Sequence, residues 1–234
     1  MSTRYDVADE AMLEAGLAAA TTAIRAGELV VLPTDTIYGI GADAFDPVAV
    51  ARLLEAKGRG REMPPPVLVG SPATLDALVT GLPEWAKVLV EHYWPGPLTI
   101  VARQQSSLQW DLGETRGTVA VRMPHDKVAL ELLARTGPLA VSSANLTGRA
   151  PATSADQAAE MLSAHVAVIL DSGPTADDQP STIVDCTGAQ PRVLRVGAIS
   201  VAELRTVLAS ADVALDDLDP EPAEPAPDEG PAGA

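Results

Sequence analysis

Short, nearly continuous apolar runs recur along this chain between segments of helical period, and that alternation restricts it to a layered α/β fold. Glu28-Leu-Val-Val-Leu32 is the plainest run. Pro33, which has no N–H to give a ladder, halts it. Runs of the same kind occupy Val67–Val69, Leu98–Val101, Thr118–Arg122, Pro138–Val141, Val166–Leu170, Thr182–Cys186 and Arg192–Val196. Strands apolar on both faces need cover on both faces. The cover comes from helices. Leu13, Leu17 and Ile24 at helical spacing predict one over 9–26, stopped by Gly27. Asp46-Pro47 caps a second that runs to Lys57, and Ser71-Pro72 opens a third. Others cover 84–92 and, from Met123-Pro124, the residues to about Arg135. Ser154 with Gln157, and Ser200 with Glu203, form capping-box patterns for helices ending near Ser163 and Ala209. Several late strands follow one another without a helix, so the expected fold is α/β with a mixed parallel/antiparallel sheet and packed helices.

Composition narrows the class further. Apolar residues make up 47% of the chain with a single Phe, so the core is built from aliphatic side chains. The lone Cys186 excludes a disulfide framework and suits a reducing cytoplasm. No run reaches membrane-spanning length, and Met1-Ser-Thr-Arg lacks a signal-peptide core, so we expect a cytoplasmic protein with no membrane partner. Net charge is −16, and residues 216–234 alone carry seven acids and no base, which leaves −9 for the rest. We place the folded body at 1–213 and an acidic, Pro-rich disordered tail at 214–234. An acidic body with 3% aromatics is a poor nucleic-acid surface, although a local basic cleft would permit weak RNA binding.

Polar residues stand where buried runs end. In Pro33-Thr-Asp-Thr-Ile-Tyr-Gly39, Thr34 and Thr36 flank Asp35, with Tyr38, Gly39 and Gly41 behind. Such hydroxyls in a Gly-permitted turn suit a small polar ligand; Asp35 bonding its own backbone in a plain turn is the other reading. Lys57, Arg59 and Arg61 form the densest basic cluster and fit an anion; solvated surface cations are the alternative. Lys57 and Arg59 lie at a helix end, so replacing either is expected to spare the fold. Arg122 ends an apolar strand, either as a structural fork to a carboxylate or as a clamp on a ligand's. Ser142, Ser143, Asn145 and Thr147, closed by Gly148, suit phosphates or an amino-acid head group, or simply a Ser/Asn turn. Pro180-Ser-Thr-Ile-Val-Asp185 and Arg195-Val-Gly197 repeat the idea.

Other chemistries leave no trace. There is no Walker loop, dinucleotide fingerprint, serine-hydrolase elbow or zinc pattern. His92, His125 and His165 stand apart and read as ordinary histidines; Cys186 reads as core. What remains is positioning and charge neutralisation.

The segments PTDTIYGIGADA, AKGRGR, YWPGPLTIV, VAVRMP, VSSANLTG, PSTIVD and LRVGAIS stand in the order of the YrdC-like family, over about residues 10–208. The chain resembles the short, single-domain members of that family. The resemblance implies a twisted sheet around a concave, locally positive cavity, and L-threonylcarbamoyladenylate synthase activity. The substrates would be L-threonine, bicarbonate and ATP with Mg2+, and the products threonylcarbamoyl-AMP and pyrophosphate. A downstream threonylcarbamoyl transferase complex would then modify tRNA. Carried over residue by residue, Lys57 and Arg59 are catalytic, and with Thr118, Ser143, Ala144, Asn145 and Arg195 they bind the nucleotide. Thr34, Thr36, Tyr38, Arg122, Ser142 and Ser181 bind L-threonine, with Arg122 on its carboxylate; the metal ligands are unassigned. Many members carry a histidine near the place of Gly70, and here Arg61 is expected to supply the missing polarity. Two other readings are an RNA or tRNA-binding module of the same fold and a domain making a different carbamoyl adenylate.

Overall fold

The structure, a computed structural model, describes residues 2–176 and 178–215; of the tail expected at 214–234, residues 216–234 lie outside the described residues, and Leu215 packs against the core. In chain order the elements are β1 (Thr3–Asp6), α1 (Glu10–Arg25), β2 (Leu29–Leu32), β3 (Gly39–Asp43), α2 (Pro47–Lys57), β4 (Val67–Leu68), α3 (Pro72–Leu78), β5 (Val79–Thr80), α4 (Glu84–Tyr93), β6 (Leu98–Gln104), β7 (Thr118–Arg122), α5 (Lys127–Thr136), β8 (Leu139–Ser143), α6 (Ala155–Leu162), β9 (Val166–Asp171), β10 (Thr182–Asp185), β11 (Arg192–Arg195) and α7 (Val201–Ala209). The strands make one sheet in the order β1-β9-β2-β3-β8-β4-β7-β6-β10-β11, with β5 on β6. It is mixed as expected: β9 runs parallel to β1 and β2, and β8 antiparallel to β3 and β4.

Alternation along β2 explains the layers. Val30 and Leu32 join an apolar layer with Leu17 and Ile24 of α1 and Leu132 and Leu133 of α5. Leu29 and Val31 join the opposite layer, with Leu53 of α2, Leu89 of α4, Leu162 of α6 and Leu204 of α7. A strand buried on both faces must be apolar throughout, as this one is. Each fully buried aliphatic side chain contributes about 1.5–3 kcal/mol of transfer energy.

The helix ends follow their residues. Asp46 accepts from Val48 and Ala49 N–H at the start of α2, and Gly58 ends it at φ 64°, a left-handed cap only glycine adopts without strain. At α7, Ser200 and Glu203 form the full capping box. At α6 only half of the expected box exists, because the Gln157 carbonyl oxygen accepts instead from Thr153 N–H, one residue before the cap. Helix α5 starts at Lys127, later than Met123-Pro124, because Asp126 is the residue able to cap: it accepts from Ala129 N–H at 2.8 Å.

One expectation is overturned outright. Gly39 and Gly41 are not turn glycines; they lie in β3, between β2 and β8. A Cβ on Gly39 would come within 2.6 Å of Val141 Cγ1, so the glycine makes room for the neighbouring strand's side chain. Strand β1 is too polar to show as an apolar run in the sequence.

Candidate active site

Helix α2 delivers Lys57 at its last turn, and the ammonium is buried, 1% exposed. Val50, Leu53 and Lys57 share one helical stripe, so helical spacing points this lysine inward rather than at solvent. Lys57 Nζ donates to Ser143 O at 2.5 Å, to Asn145 Oδ1 at 3.0 Å and to the Asn145 carbonyl. The amide of Asn145 donates in turn to Leu146 O and Arg149 O, so this side chain is the keystone of the loop after β8. Thr147 closes the circuit, its hydroxyl donating to Lys57 O at 2.7 Å. Arg59 reaches the same loop, with Nε 3.2 Å from Thr147 Oγ1 and Nη1 3.4 Å from Ser142 Oγ, at the long end of hydrogen bonding.

The second group centres on Arg122, at the end of β7 and 6% exposed. Its Nη2 donates to Asp35 Oδ1 at 2.6 Å, Nη1 to Thr36 Oγ1 at 2.9 Å and Nε to Gly96 O at 3.0 Å. Burial pushes the guanidinium below its ordinary pKa, and Asp35 opposes that shift. Both readings of Arg122 meet here: it forks to a carboxylate of the chain and keeps an N–H on each terminal nitrogen for a ligand. Thr34, not Asp35, closes the 33–38 turn, its hydroxyl donating to Ile37 O at 2.6 Å and accepting from Thr36 N–H.

The third group joins through Pro97, whose carbonyl accepts from Thr182 N–H. Arg195 donates from Nε and Nη2 to Ser181 O, and the Ser181 hydroxyl lies 2.8 Å from that of Thr99. The first two groups join where Gly39 pairs with Ser143 and Ala144 N–H donates to Tyr38 O. One hydrogen-bonded system therefore contains the segments 33–39, 57–59, 96–97, 122, 142–147 and 181–195.

Some expected site residues are committed elsewhere. The Tyr38 hydroxyl donates to Gly173 O at 2.6 Å, and burial raises its pKa. The Ala144 N–H is taken by the Tyr38 carbonyl at 2.8 Å, and the residue is fully buried. The Thr118 hydroxyl donates to Thr115 O at the far end of β7 from Arg122. Arg61 does not supply polarity to the site: it is exposed and paired with Asp111 at 2.8 Å. Gly70 packs on α5, where a Cβ would lie 3.2 Å from Leu133 Cβ. Cys186 is buried, its thiol pKa driven up by burial, and it offers no thiolate. Spacing marked neither Asp35 nor Thr99, since each acts across the fold.

Two open clefts, of about 410 and 450 Å3, lie beside α6 and between α4 and α7. Neither is lined by the clustered cations. Among the described residues no three His, Cys, Asp or Glu side chains gather as a metal site, and no helix is long and apolar enough to cross a membrane.

A family model described as "Telomere recombination", covering Sua5, YciO and YrdC, matches residues 22–197. A Mycobacterium tuberculosis protein provisionally named threonylcarbamoyl-AMP synthase is 54% identical over 208 residues, 89% of this chain and 96% of its own length. A Pyrococcus abyssi threonylcarbamoyl-AMP synthase is 39% identical over 186 residues, 79% of this chain and 55% of its own length. The crystal structure of P. abyssi Sua5 complexed with L-threonine superposes with a TM-score of 0.79 at 36% identity, over 88% of this chain and 60% of that one.

Proposed function

The chain belongs to the Sua5/YciO/YrdC family, and from that premise we propose that it is a threonylcarbamoyl-AMP synthase whose active site is the hydrogen-bonded system just described. The observation that carries this reading is the convergence of Lys57 and Arg59 on the 142–147 loop, with Arg122 bonded to Thr36 in the same system. A cationic end beside a hydroxyl-lined end suits a nucleotide phosphate chain next to a hydroxy amino acid.

In this mechanism the threonine amine and bicarbonate combine to a carbamate with loss of water. A carbamate oxygen attacks the α-phosphorus of ATP, the bond from that phosphorus to the bridging oxygen breaks, and pyrophosphate leaves. Arg59 and Arg195 stand over the charge that develops on phosphate oxygens. Lys57 acts from beneath, since its ammonium holds the Ser143 and Asn145 carbonyls that shape the phosphate-facing loop. Arg122 takes the threonine carboxylate with the two N–H groups it keeps, while Thr36, Ser142 and Ser181 offer hydroxyls. Thr34 shapes the turn that presents Thr36, and the Ser143 hydroxyl completes the nucleotide side. Magnesium arrives with ATP as part of the substrate and is held chiefly by its phosphates. The product would pass to a threonylcarbamoyl transferase complex in the cytoplasm, with residues 1–213 as the catalytic unit.

The RNA-module reading has no observation in its favour: the body carries −9, and Arg61, the outermost cation of the cluster, is already paired with Asp111. The test is pyrophosphate release from Mg-ATP. The reading requires that release depend on L-threonine and bicarbonate together; release indifferent to threonine would refute it.

A further inference from the structure

Arg122 alone is not a rigid receptor for a carboxylate. A guanidinium binds a carboxylate through two parallel N–H bonds, and less conformational entropy is lost in forming them when its plane is set beforehand. Here three acceptors from separate segments set that plane: Gly96 O on Nε, Thr36 Oγ1 on Nη1 and Asp35 Oδ1 on Nη2. Asp35 makes the shortest of the three bonds and is the only charged acceptor among them. The ion pair is well sheltered, with side chains 7% and 14% exposed. Asp35 is itself pinned, because the same Oδ1 accepts from His125 N–H at 2.9 Å, just beyond the strand that carries Arg122. Strand end, turn and carboxylate thus form a closed loop in which neither partner can swing away without breaking the other's bonds.

We infer that Asp35 is a positioning residue for the carboxylate site at Arg122, so that the Asp35–Arg122 pair, rather than the arginine by itself, receives the amino-acid substrate. The inference rests on the function proposed above, and it assigns Asp35 to the threonine half of the reaction only. Three of the five guanidinium N–H groups are held in this way, and the two that remain for a carboxylate sit one on each terminal nitrogen. Without Asp35 the same guanidinium would keep its charge and lose its aim.

Calorimetric titration of the full chain with L-threonine, and separately with ATP, tests this. In Asp35→Ala the threonine Kd rises roughly tenfold, equivalent to about 1.4 kcal/mol, while the ATP Kd stays within about twofold of wild type. Asp35→Asn, which keeps an acceptor at Oδ1 and loses only the charge, gives a smaller rise of about threefold and is the variant to read if Asp35→Ala does not fold. In an Arg122→Ala background, Asp35→Ala adds less than about twofold, because the two act as one unit. A threonine Kd unchanged in Asp35→Asn or Asp35→Ala, equal losses for threonine and ATP, or full additivity with Arg122→Ala would each overturn the inference and leave the proposed function standing. If the wild-type chain binds no threonine, the proposed function fails, and this inference fails with it.

Discussion

Replacing Lys57 separates a surface catalytic cation from a buried organiser of the site. Position at a helix end suggests that Lys57→Ala should leave the fold intact. The structure contradicts that, because the ammonium is 1% exposed and serves Ser143 O, Asn145 O and Asn145 Oδ1. Truncation strands Asn145 O and Asn145 Oδ1 where the side chain had excluded water, while Ser143 O keeps the Asn145 N–H at 2.9 Å. One buried group left without its partner costs about 1–3 kcal/mol. The two share a single site that a water could enter, so the whole comes to roughly 2–4 kcal/mol rather than two full penalties. In a domain of this size 1 kcal/mol moves Tm by about 2–4 °C, so Lys57→Ala should melt roughly 4–16 °C below wild type. Thermal denaturation followed by far-UV circular dichroism measures this. Lys57→Met fills the volume without supplying donors, so it should recover less than about half of the loss if stranded acceptors are the cause. A Lys57→Ala protein melting within about 2 °C of wild type would refute the reasoning and return Lys57 to the role of a solvated phosphate ligand.

Arg59→Ala should do the opposite: its bonds are long and half-exposed, so Tm should shift by under about 3 °C while threonine-dependent pyrophosphate release falls at least roughly a hundredfold. Undiminished release would remove Arg59 from the site. Ser200→Ala breaks the capping box of α7 and should cost about 1 kcal/mol in urea denaturation; no change would mean that the helix end is held by packing alone. Asp126 titrates above its ordinary value because burial disfavours its charge, so the folded chain holds this proton more tightly than the unfolded one. Its contribution is therefore present at pH below 3.8 and lost as pH climbs from there through the raised folded value. Asp126→Asn, which keeps a capping oxygen, should gain stability relative to wild type between about pH 4 and pH 7; a constant difference across that range would contradict the assignment.

How much of this could be read from the chain depends on how local the cause is. Helix α2 was plain, because Asp46, Pro47 and Gly58 each act within a turn of their own position. Lys57, Arg59 and the 142–147 loop each carry a polar signal at the end of an element, but their grouping is legible only through the family resemblance. Strand β3 is not legible, because Gly39 and Gly41 look like turn residues until Val141 is known to lie against them. The burial of Lys57 is written in its spacing with Val50 and Leu53, although its charge alone points to solvent. Asp35 and Arg61 were beyond reach. Their partners lie 87 and 50 residues away in the chain, and only the folded sheet decides that one pair is buried at the site and the other exposed outside it.

The most direct test of the central claim is mass spectrometry of the products formed from Mg-ATP, L-threonine and carbon-13 bicarbonate. The account predicts threonylcarbamoyl-AMP carrying one carbon-13, with equimolar pyrophosphate and no such adduct when threonine is omitted. A folded protein that yields no adenylate, or an adenylate without the label, would contradict it.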